Sequence, residues 1–164
     1  MPVQFYICGV FRRQQEFAEI ARQIEESNAG WSCCAGWLTV EPETCDRCHG
    51  RGRTSQSITA SVCSFCGGSG DVTELFPGVA RMAALADLED VRRSDVVLVF
   101  TEEAGALGRG RGGRHVEFGF AYAKGKPIAV IGSNENIFCH LVPSFGLVGD
   151  AVNHLKSTVG GHRP

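Results

Sequence analysis

The segment Asp95-Val-Val-Leu-Val-Phe100 is apolar at every position after its aspartate. It is too short for a stable helix and shows no alternation of polar and apolar residues. Such a run reads as a strand covered on both faces, the situation of a parallel sheet clothed by helices. Val3 to Cys8, closed by Gly9, and Lys126-Pro-Ile-Ala-Val-Ile131 have the same character. Helical patterns lie between them. From Gln14 to Glu26, Phe17, Ile20, Ala21 and Ile24 form the stripe of an amphipathic helix, stopped by Asn28-Ala-Gly30. Val79 to Arg93 carries Met82, Leu85, Ala86, Leu88 and Val91, and Gly113 to Lys124 and Ala151 to Lys156 read as further helical stretches. Trp31 to Val40 is a strand candidate interrupted by Gly36.

Short strands alternating with helices imply an α/β domain. Its expected core is a doubly wound, mainly parallel, flavodoxin-like sheet with helices on both faces and ligands at the carboxyl ends of the strands. At 164 residues and 43% hydrophobic content the chain is one domain's worth, 1–164, able to bury a core without covalent help. A net charge of −2 argues against nucleic acid or an anionic membrane as partner. No apolar run reaches the ~18 residues needed to span a bilayer. The start, Met1-Pro-Val-Gln-Phe-Tyr-Ile, lacks a basic region, so a cytoplasmic location is expected.

From about Glu41 to Val72 the composition changes to Gly, Ser, Thr, Arg and Cys, too poor in aliphatics to fold by burial alone. Here Cys45-Asp-Arg-Cys48-His-Gly-Arg-Gly52 and Cys63-Ser-Phe-Cys66-Gly-Gly-Ser-Gly70 both fit C-x-x-C-x-G-x-G, with fourteen residues between the pairs. Two such knuckles supply four thiolates for a tetrahedral ion at about 2.3 Å. Glycine after each second cysteine permits the turn that aims backbone N–H groups at sulfur. Cys45, Cys48, Cys63 and Cys66 are therefore the expected ligands of a structural Zn2+ in an inserted hairpin, 42–72. The repeat resembles the cysteine-rich repeats of DnaJ-type chaperones over these two short units. Arg47, Arg51 and Arg53 make the segment locally basic, so nucleic-acid contact stays open beside a role in shaping a site or a subunit contact. Cys8, Cys33, Cys34 and Cys139 read as small buried hydrophobes.

The rest of the chain resembles the nucleoside 2-deoxyribosyltransferase family and its relatives that hydrolyse nucleoside 5′-monophosphates at the N-glycosidic bond. Three stretches carry the resemblance: Tyr6-Ile-Cys-Gly9 followed by Val-Phe-Arg-Arg13; Ala86-Asp-Leu-Glu-Asp-Val-Arg-Arg-Ser-Asp95; and Gly113-Arg-His-Val-Glu117-Phe-Gly-Phe-Ala-Tyr-Ala-Lys-Gly-Lys-Pro127. The resemblance implies that Glu117 is a nucleophile and Asp87 the acid near the nucleobase. The chemistry suits these residue types, since a carboxylate can capture an oxocarbenium-like C1′ and a second acid can protonate the leaving base. The resemblance further implies substrate contacts from Tyr6, Gly9, Arg12, Trp37, Gly113 and Asn136, with Tyr6 and Trp37 as stacking candidates. It also implies a homo-oligomer.

One departure stands out. Where the transferases carry an Asp and the monophosphate hydrolases a phosphate-binding Ser, six positions before the nucleophile, this chain has Arg111, between Arg109 and Arg114. Arginine forks suit phosphate, so a nucleotide is a candidate substrate beside a free nucleoside. Each residue also has a plainer reading. Glu117 suits a helix start, Asn136 a turn, and the arginines a solvated loop. A non-catalytic nucleotide-binding module of the same fold is the alternative.

Overall fold

The computed structural model describes residues 2–40, 77–102 and 112–160. Cys45, Cys48, Cys63, Cys66 and the expected hairpin 42–72 lie outside these residues, as does Arg111. The chain divides into two compact units, Met1–Leu38 with Asp87–Pro164, and Thr39–Ala86.

The larger unit holds a five-stranded sheet, all parallel: β1 (Val3–Cys8), β2 (Trp31–Cys33), β3 (Val96–Phe100), β4 (Ile128–Ile131) and β5 (Ser144–Phe145). Their order is β2-β1-β3-β4-β5. The chain reverses its direction of travel across the sheet between β1 and β3, so right-handed crossovers on either side of that line fall on opposite faces. Helix α1 (Gln14–Ser27) follows β1, α3 (Gly113–Ala123) follows β3, and α4 (Val148–Gly160) follows β5. Helix α2 (Pro77–Arg93) begins in the smaller unit and ends in the larger one. This is the doubly wound α/β architecture expected from the apolar runs.

Burial explains why those runs have no alternation. Phe5, Tyr6, Ile7 and Cys8 are fully buried, as are Val96, Val97 and Leu98 beside them. Phe5 pairs with Val96, and Cys8 with Val99. The Gln4 amide donates to Asp95 Oδ2 at 2.7 Å, so the aspartate before β3 serves the start of the ladder. On α1 the expected stripe faces inward: Phe17, Ala21 and Ile24 are buried, and Ile20 packs partly against the core. Phe17 stacks obliquely on Phe100 at a centroid distance of 4.8 Å, joining α1 to β3.

Several boundaries differ from the sequence expectation, each for a local reason. Trp31 to Val40 is not one strand. Pairing with β1 stops at Cys33, and Gly36–Leu38 form a 3-10 turn. The Gly36 amide donates to Asp90 Oδ2 at 2.8 Å and the Trp37 indole to the Ile7 carbonyl at 2.9 Å, which draws the chain away from the sheet edge. Helix α2 starts at Pro77, whose fixed φ and missing N–H suit the first helical position. The last helix extends over Val148–Gly160, well beyond Ala151 to Lys156, and β5 is too short to have announced itself. In the smaller unit the first part of α2 exposes Met82 and Leu85. Among the described residues no helix is long and apolar enough to cross a membrane.

Gly9 is set by close packing. A Cβ there would stand 2.3 Å from Phe17 Cε2. Gly9→Ala is expected to push Phe17 and α1 off the sheet and cost about 1–3 kcal/mol of unfolding free energy. A urea titration checks this, with Gly149→Ala, which meets nothing within 4 Å, as the reference.

Candidate active site

Each strand of a parallel sheet ends on the same side, and two helices bring acids to that side in the larger unit. Helix α3 opens at Gly112, whose φ of +79° is a left-handed conformation that glycine adopts freely. The chain then enters the helix with Gly113, and Glu117 follows one turn later, beside the end of β1. Gly113 lies against it: a Cβ on Gly113 would be in ordinary contact with Glu117 Oε1 at 3.9 Å. Asp87 comes from α2, in the part that belongs to the larger unit.

Four groups meet here. Tyr6 and Cys8 lie two apart on β1, so their side chains share a face. Both are fully buried and both face Glu117. Burial, and then the negative charge of Asp87, push the Glu117 carboxyl up to about 7, against the pull of the Cys8 thiol and the Tyr6 phenol. Burial, and then Asp90, raise Asp87 to about 6. The Tyr6 and Cys8 protons are held far more tightly, again by burial first and by Glu117 second. Both groups therefore remain hydrogen donors at any ordinary pH. The phenol lies close enough to favour the carboxylate, yet among the described residues Tyr6 Oη and Glu117 Oε2 lack a partner at full hydrogen-bonding geometry.

The two carboxyls thus form a coupled pair. Near neutral pH they hold about one proton between them, and the two titration steps belong to the pair. One carboxylate and one carboxylic acid in a single site can do what neither does alone: attack an electrophilic carbon and protonate a leaving group.

A second cluster at the same end of the sheet pairs its acids with arginines and behaves differently. Arg12 and Arg13 both bind Glu102, just after β3. Burial works against the Glu102 charge, but the two guanidiniums hold its carboxyl below the usual range. Arg114 grips Glu135 with two bonds of 3.0 and 2.7 Å, and Glu135 also accepts from the Glu102 amide at 3.0 Å. This arginine side chain is 9% exposed, and its Nη1 is buried without a partner among the described residues.

The remaining expected contacts fall as follows. Tyr6 is wholly enclosed, so its hydroxyl and not its ring face is what it offers the site. Trp37 is half-buried against Phe11 and Phe17 and fixed by its indole bond to Ile7. Gly9 lies beneath the Phe17 ring. Arg12 is committed to Glu102. Asn136 caps the short 3-10 helix Ile137–Leu141 by accepting from the Phe138 amide at 2.9 Å, and its Nδ2 is 3.4 Å from His115 Nδ1. Cys139 is buried, and Cys33 and Cys34 are half-buried with burial raising their thiols to about 12 and about 11. Among the described residues no three His, Cys, Asp or Glu side chains are grouped to hold a metal.

No protein-family model matches the sequence, and none of the curated proteins does. A solved structure does match. The crystal structure of a conserved protein from Enterococcus faecalis V583 superposes with a TM-score of 0.59 at 16% identity, covering 96% of this chain and 99% of that one. The likeness is one of fold.

Sequence reasoning missed Cys8 and Asp90. A cysteine inside an apolar run looks like one more small hydrophobe, and Asp90 looks like a surface helix acid. The spacing of Tyr6 and Cys8, alternate positions on one strand, was the available signal for the first. For Asp90, three residues after Asp87, it was the shared helix face.

The raised Glu117 has a consequence for stability with a definite sign. Folding increases its proton affinity, so the folded state binds more protons between the unfolded value near 4.5 and about 7. Its contribution is most favourable below the unfolded pKa and is lost as pH rises through about 7. Glu117→Gln is therefore expected to be more stable than the parent at pH 8, by up to about 3 kcal/mol. The gain should shrink steadily toward pH 4.5, as thermal unfolding across that range would register.

Proposed function

We propose that the chain is an enzyme that breaks or exchanges the N-glycosidic bond of a (deoxy)nucleoside or a nucleoside 5′-monophosphate. The observation that carries this reading is the meeting of two half-buried carboxyls, Glu117 and Asp87, at the carboxyl end of β1 beside the fully buried Tyr6 phenol and Cys8 thiol, with no cation among the groups that shift them. The likeness to nucleoside 2-deoxyribosyltransferases in three stretches of sequence supports the same assignment.

In the first step the C1′–N bond breaks and a bond forms between C1′ and a Glu117 oxygen. The base leaves with the electron pair of the broken bond and takes the proton of Asp87. In the second step water or an acceptor base attacks C1′, Glu117 leaves as the carboxylate, and Asp87 recovers a proton from the attacking group. The protonated Tyr6 and Cys8 favour the Glu117 carboxylate before it attacks C1′ and again as it departs in the second step. Trp37, half-buried and fixed at Ile7, offers a wall for the base. Arg114 near the start of α3 spends two of its nitrogens on Glu135, and its unpartnered Nη1 leaves N–H groups that suit a 5′-phosphate.

The covered Glu117 Oε2 favours one rival, a nucleotide-binding module without turnover. Incubation with a panel of nucleosides and 5′-monophosphates, followed by chromatography, separates the two readings. Base release abolished by Glu117→Ala is the outcome expected of the enzyme. Thermal stabilisation by a nucleotide that is recovered intact belongs to the module. The one-proton requirement further sets a bell-shaped profile: kcat/KM should be highest between about pH 6 and about pH 7 and fall on both sides.

The duplicated C-x-x-C-x-G-x-G spacing supports a structural Zn2+ on Cys45, Cys48, Cys63 and Cys66. Elemental analysis is expected to find one zinc per chain, reduced by Cys45→Ser with Cys63→Ser. A second copy of the chain is the proposed partner, supported by the exposed Ile137, Phe138 and Leu141 that follow Asn136. A cytoplasmic setting is consistent with four thiolates kept for metal.

A further inference from the structure

Asp90 is an acid that the glycosyl-transfer chemistry does not use, and it is 7% exposed. Its two oxygens have different partners. Oδ2 accepts from the Gly36 amide at 2.8 Å, and a Cβ on Gly36 would stand 3.0 Å from that oxygen. Oδ1 takes a short bond from the Arg93 guanidinium. The backbone carbonyl of Asp90 accepts from the Cys34 thiol at 3.5 Å. One residue of α2 thus clasps the segment at Cys34 and at Gly36, just before Trp37, the residue that offers a wall to the site.

The same side chain lies one helical turn beyond Asp87. Residues three apart on a helix are neighbours on its surface, and like charges there repel. Asp87 is faced by Asp90 from its own helix, by Tyr6 and Cys8 from β1, and by Glu117 from α3. None of these is a cation. Arg93, three residues beyond Asp90, is taken up by Asp90.

We propose that Asp90 is a positioning residue of the site: its carboxylate fixes the turn at Gly36 through one oxygen, and its negative charge, one helical turn away, favours the protonated form of Asp87. The function of Asp87 as the acid that serves the leaving base rests on the reading above; the effect of Asp90 on its proton does not. The direction of that effect agrees with the raised Asp87 carboxyl, for which burial comes first and Asp90 second.

Asp90→Asn separates the two roles, because an amide oxygen can still accept from Gly36 while the charge is gone. The Asp87 carboxyl, followed by carbon-detected NMR across pH 3 to 9, is expected to titrate about half a pH unit lower or more in this variant. The Trp37 indole proton should stay where it is in the parent. Asp90→Ala, which removes the acceptor too, should shift that indole signal. Arg93→Gln leaves the Gly36 bond intact and unmasks the Asp90 charge, so Asp87 should titrate higher; this variant decides the matter if Asp90→Asn does not fold. A purely structural Asp90 would leave the Asp87 titration unmoved in both charge variants, and that result overturns the proposal. Since the titration needs no substrate, an absence of base release would sink the glycosyl-transfer reading and leave this measurement standing. With activity present, the acid limb of kcat/KM should move with the Asp87 titration.

Discussion

The parallel ladder between β1 and β3 is the contact on which the site depends. Pairing Phe5 with Val96 and Cys8 with Val99 puts the end of the N-terminal strand beside the end of a strand more than ninety residues later. It also places the point where the sheet reverses direction at that spot, so that helices leave to opposite faces and a gap opens between them. Tyr6 and Cys8 form the floor of that gap, and Glu117 comes down onto it from α3. That floor is fully buried.

Two clusters of carboxyls occupy the same end of the sheet under contrasting rules. Glu102 and Glu135 each sit against arginine guanidiniums, and such charge-assisted pairs hold loops together. Glu117 and Asp87 have no cation among the groups that shift them, and burial raises both. A fold that wanted only stability would have paired or replaced them, since an unpaired buried acid costs free energy whenever it ionises. Local inconsistency of this kind is what functional sites retain.

Much of the architecture could be read from the chain because its strands are apolar end to end and its helices carry one apolar stripe. Val96 to Phe100, Phe17, Ala21 and Ile24 are where that pattern puts them. The reading failed where tertiary hydrogen bonds override local preference. Trp31 to Val40 has strand-like composition, but the Gly36 bond to Asp90 and the Trp37 bond to Ile7 turn the chain after Cys33. These partners are 54 and 30 residues away, at separations no local pattern encodes. Glu117 and Asp87 were legible only through the family resemblance, since as isolated helix acids they resemble Glu89 or Glu16. Their burial distinguishes them, and burial follows from the sheet order, not from their neighbours in sequence.

The proton economy of the site follows from which groups are able to change charge. Tyr6 and Cys8 are buried so thoroughly beside Glu117 that neither gives up its proton at ordinary pH. They can orient and stabilise the carboxylate but cannot relay a proton through their own ionisation. Any proton that moves must therefore reside on Glu117 or Asp87, and the negative charge of one makes the other retain it. Asp90 acts on one member of that pair, because it lies one helical turn beyond Asp87. Burial alone makes each carboxyl retain a proton. A third charge, itself anchored by Arg93 and Gly36, raises the proton affinity of Asp87 toward that of Glu117, so that the shared proton can pass between them.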